Sequence, residues 1–164
     1  MLFYSLLKSP LGYLGLVASG QGLRELRIKV ESDAAFRRYL EPRYPVMPRR
    51  NPNKMALARQ QLTKYFAGGL QRFDLPLDVA GGTEFQRRVW QTLSTIPFGQ
   101  TRHYCWLAAA VDRPQAVRAV GNANGKNPLP IILPCHRVIL KSGGLGGFTG
   151  GLDLKRFLLH LEGA

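Results

Sequence analysis

The fold of the second half of the chain is decided by residues 104–124, YCWLAAAVDRPQAVRAVGNAN. Apolar residues recur at helical spacing on both sides of a short link, Asp112-Arg113-Pro114. Two short helices joined by so tight a link are typical of a helix-turn-helix, although many helical hairpins share the pattern. We predict one helix over YCWLAAAV and a second over QAVRAVGNAN, which ends at Gly125.

Upstream of this pair, the sequence predicts a domain boundary followed by a longer helix. Gly81-Gly82 interrupts the chain, and Thr83 with Gln86 forms a capping box at the start of the helix EFQRRVWQTLSTI. Apolar side chains recur along one face of that helix, which we expect to be buried. We therefore predict an N-terminal domain, 1–80, and a C-terminal domain, 81–164.

The N-terminal domain is predicted to contain a small antiparallel sheet with helices. Residues 2–30 form three apolar-rich runs separated by the turns SPLG and SGQG, which predicts three strands. Ser32 is expected to cap a helix over DAAFRRYL, and KMALARQQLTKYF predicts another helix that ends at Gly68-Gly69. The segment EPRYPVMPRRNPN contains four prolines and is expected to be a loop.

Downstream of the helical pair lies the segment NPLPIILPCHRVIL, residues 127–140. Its three prolines lack backbone donors, so we predict an irregular extended segment, with buried strand on both sides of Cys135-His136. The glycine-rich KSGGLGGFTGG lacks the GxxxxGK[ST] pattern and is expected to be a loop of close approach, not a phosphate-binding loop. DLKRFLLHLEG predicts a closing helix.

The charge of the chain indicates a polyanionic partner. Of 164 residues, 23 are Lys or Arg and 10 are Asp or Glu, which gives a net charge of +13. Arginine dominates and suits phosphate geometry, so nucleic acid is the first candidate. No apolar run reaches membrane-spanning length, and two cysteines make no disulfide framework. We therefore expect a protein of the reducing cytoplasm.

Four interpretations compete for the adjacent Cys135 and His136. A buried cysteine beside a satisfied histidine would be structural. A metal site could also use His103 and Cys105, but these spacings do not match the usual zinc patterns. A Cys-His hydrolase would need an orienting group and an oxyanion hole, and no protease signature is present. The fourth interpretation is a DNA-directed protein with one reactive thiolate.

The fourth interpretation depends on a resemblance over residues 82–163. The pieces GTEFQRRVWQTLSTIPFGQT, HYCWLA, RAVGNANGKNPLPIILPCHRVI, GGFTGGLDLKR and LLHLEG resemble the O6-alkylguanine-DNA alkyltransferases in order and spacing, and residues 1–80 resemble them more loosely. The resemblance implies an α/β (α+β) fold. A ribonuclease H-like sheet domain would be packed on a helical, winged-helix-type C-terminal domain. It also implies direct-reversal DNA repair, by a single-turnover alkyl transfer from O6-alkylguanine in a flipped-out base to the protein's own thiol.

The same resemblance assigns the reacting groups. Cys135 is the acceptor, His136 is the base that reaches the thiol through a water, and Glu162 orients His136. Asn127 supports the cysteine loop, and Tyr104 donates to the leaving base. An ordinary thiol near pKa 8.5 is mostly protonated, so a base is required. Consecutive side chains of an extended strand point to opposite faces, so direct contact between the thiol and His136 is not implied.

The resemblance also assigns a substrate pocket and a DNA surface. The carbonyls of Cys135 and Val138 would accept the exocyclic amine of guanine, the Thr149 N–H would approach O6, and Tyr104 and Phe148 would complete the pocket. The implied DNA-binding residues are Arg118, which fills the vacated stack, Ala119, Gly121, Tyr104 and Arg137. We expect a monomer that binds double-stranded DNA through the minor groove, with no cofactor, metal or membrane partner. Cooperative binding along DNA and activity on O4-alkylthymine stay open.

Three residues depart from the family pattern. Phe148 stands where many members have tyrosine, Leu140 stands where glycine is common, and Cys105 is expected only to pack. Two rival functions are a lesion sensor, which would lack the acceptor Cys135, and a DNA-binding regulator that uses Cys135 as a redox sensor. The regulator would bind a specific sequence, whereas repair implies weak sequence preference and strong dependence on salt.

Overall fold

Two antiparallel hairpins open the chain in the computed structural model, which describes residues 1–164. Strands β1 (Phe3–Ser9), β2 (Gly12–Ala18) and β3 (Leu23–Val30) are the three predicted strands. A fourth strand of two residues, β4 (Arg49–Arg50), pairs in parallel with β1, so the order is β3-β2-β1-β4. The small sheet is confirmed, but it is mixed and not purely antiparallel.

Two helices accompany this sheet in the unit Met1–Asp78. Helix α1 (Asp33–Leu40) begins at Ser32, whose side chain accepts a hydrogen bond from the backbone N–H of Ala35. Helix α2 (Ala56–Phe66) follows a 3₁₀ turn, Pro52–Met55. A Cβ at Gly15 would lie 2.4 Å from the Phe36 ring, so the glycine is what lets α1 approach β2 so closely. The core of the unit is a cluster of buried apolar residues, namely Tyr4, Val17, Val30, Phe36 and Leu40.

A buried carboxylate also lies in this unit. Glu25, on β3, accepts hydrogen bonds from the hydroxyls of Tyr39 and Tyr44, the second at 2.6 Å. The Arg43 guanidinium lies 3.6 Å from the same carboxylate. Because a buried charge is costly unless it is paired and hydrogen-bonded, these three partners are what allow Glu25 to be buried.

The second unit, Val79–Ala164, is mainly helical. Helix α3 (Glu84–Leu93) has the predicted capping box of Thr83 and Gln86. Helices α4 (Tyr104–Ala110) and α5 (Val117–Gly125) form the predicted pair, with α5 starting two residues later than expected. The Trp90 indole on α3 donates to the carbonyl of Ala123 on α5 at 2.9 Å, which fixes the longer helix against the pair.

A short parallel pairing brings the remaining segments together. Strand β5 (Arg102–His103) pairs with β6 (Val138–Ile139), so the start of α4 lies beside the segment that contains Cys135. The expected buried strand on both sides of Cys135-His136 is confirmed only at Val138–Ile139, since Cys135–Arg137 forms a 3₁₀ turn and Leu140 is 43% exposed. Helix α6 (Leu152–Leu161) closes the unit. None of the helices combines the length and apolar character needed to cross a lipid bilayer.

Candidate active site

A cavity of about 750 Å³ lies within the second unit and collects many of the predicted site residues. Helices α4 and α5, the cysteine turn and the glycine-rich loop form its walls. Its lining residues are Tyr104, Val117, Arg118, Gly121, Asn122, Asn124, Gly125, Cys135, Leu140, Gly146, Gly147, Phe148 and Thr149. Ala119 is exposed on the same helix, α5, but does not line the cavity. Cavities of this size accommodate a small organic ligand.

Cys135 lines the cavity while being 5% exposed. Burial raises the pKa of its thiol above the ordinary value, against the opposing effects of the Asn127 amide and the Lys155 charge. The thiol is therefore protonated at neutral pH and needs a base to become a nucleophile. The second cysteine, Cys105, is exposed and does not line the cavity.

The turn that holds Cys135 is organised by Asn127. Its side-chain oxygen accepts the N–H of Leu129 at 2.9 Å, and its amide donates to the carbonyl of Leu133 at 2.7 Å. These bonds replace main-chain pairing that the three prolines of the segment make impossible. Asn127 thus joins the two ends of the segment that precedes Cys135, and its role in the reaction stays a prediction.

His136 is fully buried and hydrogen bonded through Nε2 to Glu162 Oε1 at 2.8 Å. Because an ionised carboxylate only accepts, Nε2 carries the proton and Nδ1 keeps its lone pair. Nδ1 is buried and has no protein hydrogen-bond partner. Burial lowers the pKa of His136 below the ordinary 6.5, although Glu162 opposes this effect. The imidazole is therefore neutral at pH 7 and able to accept a proton.

Arg137 holds the other side of Glu162. Its guanidinium donates from Nε to Oε2 and from a terminal nitrogen to Oε1, both at 2.9 Å, and also donates to the carbonyl of Ile96 at 2.6 Å. A bidentate pair of this kind fixes the orientation of the Glu162 carboxylate. The expectation that Arg137 binds DNA is wrong, because its side chain is 7% exposed and its donors are used inside the protein.

Lys155, on α6, is a buried cation that the sequence did not lead us to expect. Its ammonium donates to the carbonyls of Val138 at 2.6 Å, Gly147 at 3.1 Å and Leu145. Three donors meet three carbonyls, so the ammonium joins the end of the cysteine segment to the glycine-rich loop. Burial lowers its pKa to about 8, with the charge of Cys135 opposing the effect, so it is mostly charged at pH 7.

Tyr104 projects from the start of α4 into the cavity. Burial raises the pKa of its phenol, so the hydroxyl remains a proton donor at neutral pH. A Cβ at Gly146 would lie 2.9 Å from the Tyr104 ring, so this glycine allows the loop to pack against the phenol. Thr149 is held by a 2.9 Å hydrogen bond from its hydroxyl to the carbonyl of Gly125, at the end of α5.

Two carbonyls predicted to bind substrate are already used by the protein. The carbonyl of Val138 accepts from Lys155, and Val138 is fully buried and does not line the cavity. The carbonyl of Cys135 accepts the N–H of Val138 and, at 3.5 Å, the side-chain amide of Asn124. A carbonyl oxygen has two lone pairs, so the Val138 oxygen keeps one acceptor position beside the bond from Lys155, and the roles of the two carbonyls stay predictions.

Helix α5 presents an exposed face beside the cavity. Val117 and Arg118, in its first turn, are exposed and line the cavity with Gly121. Two residues that depart from the family pattern, Phe148 and Leu140, also line the cavity. The cavity is therefore bordered by a basic, helical face and an apolar loop.

Sequence reasoning missed Lys155 and Asn124, although each had a signal. Lys155 lies one helical turn before the buried Leu159, and Asn124 lies one turn after the buried Val120. A polar residue in the apolar stripe of a helix indicates a buried partner. No group of three or more His, Cys, Asp or Glu side chains is arranged to hold a metal ion.

Comparisons with known proteins agree with this geometry. Residues 2–79 match the family model described as 6-O-methylguanine DNA methyltransferase, ribonuclease-like domain, and residues 84–164 match the DNA binding domain of the same family. The methylated-DNA–protein-cysteine methyltransferase of Mycobacterium bovis is 45% identical over 162 residues, which cover 99% of this chain and 93% of the relative. The constitutive enzyme of Bacillus subtilis is 42% identical over 163 residues, 99% of this chain and 96% of its own.

Solved structures are similar along nearly the whole chain. The Mycobacterium tuberculosis OGT in complex with DNA has a TM-score of 0.86 and 44% identity, with 98% of this chain and 92% of that chain covered. The O6-methylguanine methyltransferase of the same organism has a TM-score of 0.85 and 44% identity, with 99% and 93% covered.

Proposed function

Because this chain belongs to the 6-O-methylguanine DNA methyltransferase family, we propose how its residues carry out DNA repair by methyl transfer to a protein cysteine. The acceptor is Cys135, because it is the cysteine that lines the cavity. The assignment rests on the position of Cys135, which lines the cavity and directly precedes His136, the residue held by Glu162. A lesion sensor without an acceptor thiol does not fit a chain that has one there.

The first step is removal of the thiol proton. The Nδ1 lone pair of His136 takes it, through one bridging water, and the imidazolium is stabilised by the carboxylate of Glu162. Arg137 fixes the orientation of the Glu162 carboxylate and does not touch the substrate. The arrangement follows the logic of a Cys-His-acid triad applied to alkyl transfer.

The second step is displacement at the methyl carbon. The Cys135 sulfur forms a bond to that carbon, the bond from carbon to the guanine O6 breaks, and its electron pair remains on the base. The Tyr104 hydroxyl donates a hydrogen bond to the base as the negative charge develops. The demethylated guanine, which is still part of the DNA, takes up one proton, and this balances the proton lost by the thiol.

The partner is double-stranded DNA, and helix α5 inserts into its minor groove. The exposed Arg118 in the first turn of α5 fills the space left by the flipped nucleotide. Ala119 and Gly121 are small and allow the helix to approach the backbone. Both cysteines are free, which suits a reducing cytoplasm, and we expect a monomer to be sufficient for transfer.

The test is intact-mass measurement after mixing the protein with excess duplex that carries one O6-methylguanine. We expect a gain of one CH2 unit on the peptide that contains Cys135, with no more than one gain per molecule. Binding of the lesion without any gain in mass would overturn the proposal.

A further inference from the structure

Four exposed cations lie along the free edge of the sheet in the first unit. They are Arg37 on α1, Arg49 and Arg50 on β4, and Lys54 in the 3₁₀ turn that follows, and together we call them the arginine edge. Arg50 pairs with Asp33, Nε to Oδ1 at 3.6 Å, and the other three cations form no ion pair. The positive charge of this edge is therefore largely uncompensated.

The pairing of β4 with β1 places these cations on both faces of the sheet. In the parallel register, Arg49 lies opposite Phe3 and Arg50 lies opposite Tyr4. Neighbouring residues of a strand point to opposite faces, so the side chains of Arg49 and Arg50 leave the edge on different sides. The Lys54 ammonium lies 5.5 Å from the centre of the Phe3 ring, so Lys54 shares the face of Arg49.

The other face of the edge contains Arg50 and Arg37. The Tyr4 hydroxyl donates to Asp33, the first residue of α1, at 3.2 Å, and Arg50 pairs with the same carboxylate. Arg37 lies one helical turn after Asp33. Burial raises the pKa of the Tyr4 phenol, and the charges of both arginines oppose this effect, which indicates that both lie near the phenol. Two cations therefore flank the edge on each face.

The backbone of β4 adds a donor between the two pairs of cations. The N–H of Arg49 donates to the carbonyl of Leu2 at 2.9 Å, and the N–H of Asn51 donates to the carbonyl of Tyr4 at 3.0 Å. Alternate backbone groups of a strand point in opposite directions, so the N–H of Arg50 points away from the sheet, as at other free edges. A backbone N–H surrounded by cations suits an oxyanion such as a phosphate.

Protection of the sheet edge does not by itself explain this arrangement. Charged residues and prolines commonly keep a free edge from pairing with another chain. Here Pro48 precedes β4, Pro52 follows it closely, and the strand has only two residues, so further pairing is already blocked. Cations on both faces are not needed for that purpose. Arginine does match the geometry of phosphate, and such contacts position nucleic acids independently of base sequence.

Resting on the DNA partner of the proposed function, we infer that the arginine edge is a second surface for double-stranded DNA, which binds phosphates and lies in a different unit from the cavity and α5. Its guanidinium, ammonium and N–H donors meet phosphates and not base edges, so this contact has no sequence preference. It strengthens the binding of undamaged DNA, among which a lesion has to be found. The first unit thus contributes to binding without contributing a reacting group.

The test is the salt dependence of binding to a fluorescently labelled, undamaged duplex, measured by anisotropy with the full chain between about 50 and 200 mM salt. In Arg49→Gln/Arg50→Gln, the slope of log Kd against log salt concentration should fall by about 1 to 2, because each lost phosphate contact removes about 0.9. Arg49→Gln/Lys54→Gln keeps the ion pair of Arg50 with Asp33 and should show the same loss. Agreement between the two pairs excludes an effect of breaking that ion pair.

Lys64→Gln/Arg72→Gln is the matched control. It removes two exposed positive charges from the same unit but outside the arginine edge, and it should keep the wild-type slope. Equal changes in the control and edge variants would show attraction by net charge alone and would overturn the inference, as would an unchanged slope in both edge variants. Methyl transfer would stand in either case. A wild-type chain that does not bind the duplex would overturn the DNA partner of the proposed function, and the inference with it.

Discussion

Each unit of the chain contains a buried glutamate that accepts hydrogen bonds from two other side chains. In the first unit, Glu25 is held by Tyr39 and Tyr44. In the second, Glu162 is held by His136 and Arg137. Both carboxylates are almost inaccessible to solvent, at 6% and 5% exposure. By burial and number of partners, the two networks are nearly equivalent.

The two networks differ in whether a partner of the glutamate can accept a proton. The phenols around Glu25 hold their protons tightly, since burial raises the pKa of Tyr39 to about 12 and that of Tyr44 further. The imidazole on Glu162 has a second nitrogen with a lone pair, and it follows directly on Cys135, which lines the cavity. A buried carboxylate network therefore stabilises both units, but it supports chemistry only where it orients a base beside a nucleophile.

The largest expected difference between the two units comes from removing the nucleophile. Cys135→Ser should abolish methyl transfer, because a hydroxyl is a far weaker nucleophile than a thiolate at neutral pH. Cys105→Ser is the control and should retain the wild-type rate, since Cys105 is exposed and outside the cavity. Intact mass after incubation with the methylated duplex measures both. Transfer by the Cys135 variant, or its loss in the control, would contradict the assignment.

Matched changes at the two glutamates sharpen the comparison. Glu162→Gln should slow transfer by up to about 10²–10⁴-fold, the usual contribution of a general base, because His136 loses the carboxylate that orients it and stabilises its protonated form. It should also lower the free energy of unfolding by about 3–5 kcal/mol, because Arg137 is left buried without its carboxylate.

The companion variant, Glu25→Gln, should lower the free energy of unfolding by about 1–3 kcal/mol and leave the rate of the folded protein unchanged. Single-turnover rates and urea unfolding separate the two effects. A rate loss at Glu25 equal to that at Glu162 would remove the distinction between the networks.

Lys155 offers a smaller test within the second unit. Lys155→Met should lower the free energy of unfolding by about 2 kcal/mol or more, because the buried carbonyl of Val138 and the partly buried carbonyls of Leu145 and Gly147 lose their donor. Lys141→Met is the control, an exposed lysine in the same loop, with an expected change within about 0.5 kcal/mol. Urea unfolding measures both variants, and equal changes would show that Lys155 does not hold the loop.

The smallest expected effect is the dependence of the transfer rate on pH. Of the two networks, only the second contains a histidine, which can change its charge near neutral pH. Transfer requires neutral His136, and burial lowers the pKa of this residue below 6.5. As pH falls, the rate should therefore reach half of its maximum only below pH 6.5, with less than a twofold loss at pH 6.5 itself. Single-turnover rates between pH 5 and 8 measure this limb. A midpoint at or above pH 6.5 would contradict the neutral, buried imidazole.

Local chemistry explains what the sequence predicted correctly. The strands β1, β2 and β3, the cap at Ser32 and the capping box at Thr83 depend on neighbours a few residues away, and each was confirmed. The two-residue strand β4 has no local pattern, because only its pairing with β1 makes it a strand.

The site residues could be predicted where residue type and order identify them. They could not be predicted where their role depends on burial in the folded chain. Cys135, His136 and Glu162 were named from the resemblance to the alkyltransferase family, and the structure brings His136 and Glu162 into contact. Arg137 was placed on the DNA because a sequence shows a charge but not the direction of its side chain. Helical spacing could have indicated that Lys155 and Asn124 are buried, but their hydrogen-bond partners lie in other segments, so the contacts could not be derived from spacing.

The burial of Cys135 also means that the activity of this protein is counted in molecules consumed and not in turnovers. Cys135 is 5% exposed, and the thioether formed on it is a poor leaving group with little access for a second nucleophile. Each molecule can then remove one alkyl group. The capacity of a cell is thus a number of protein copies and not a turnover rate. Past exposure to an alkylating agent is recorded as the fraction of copies that carry the added group.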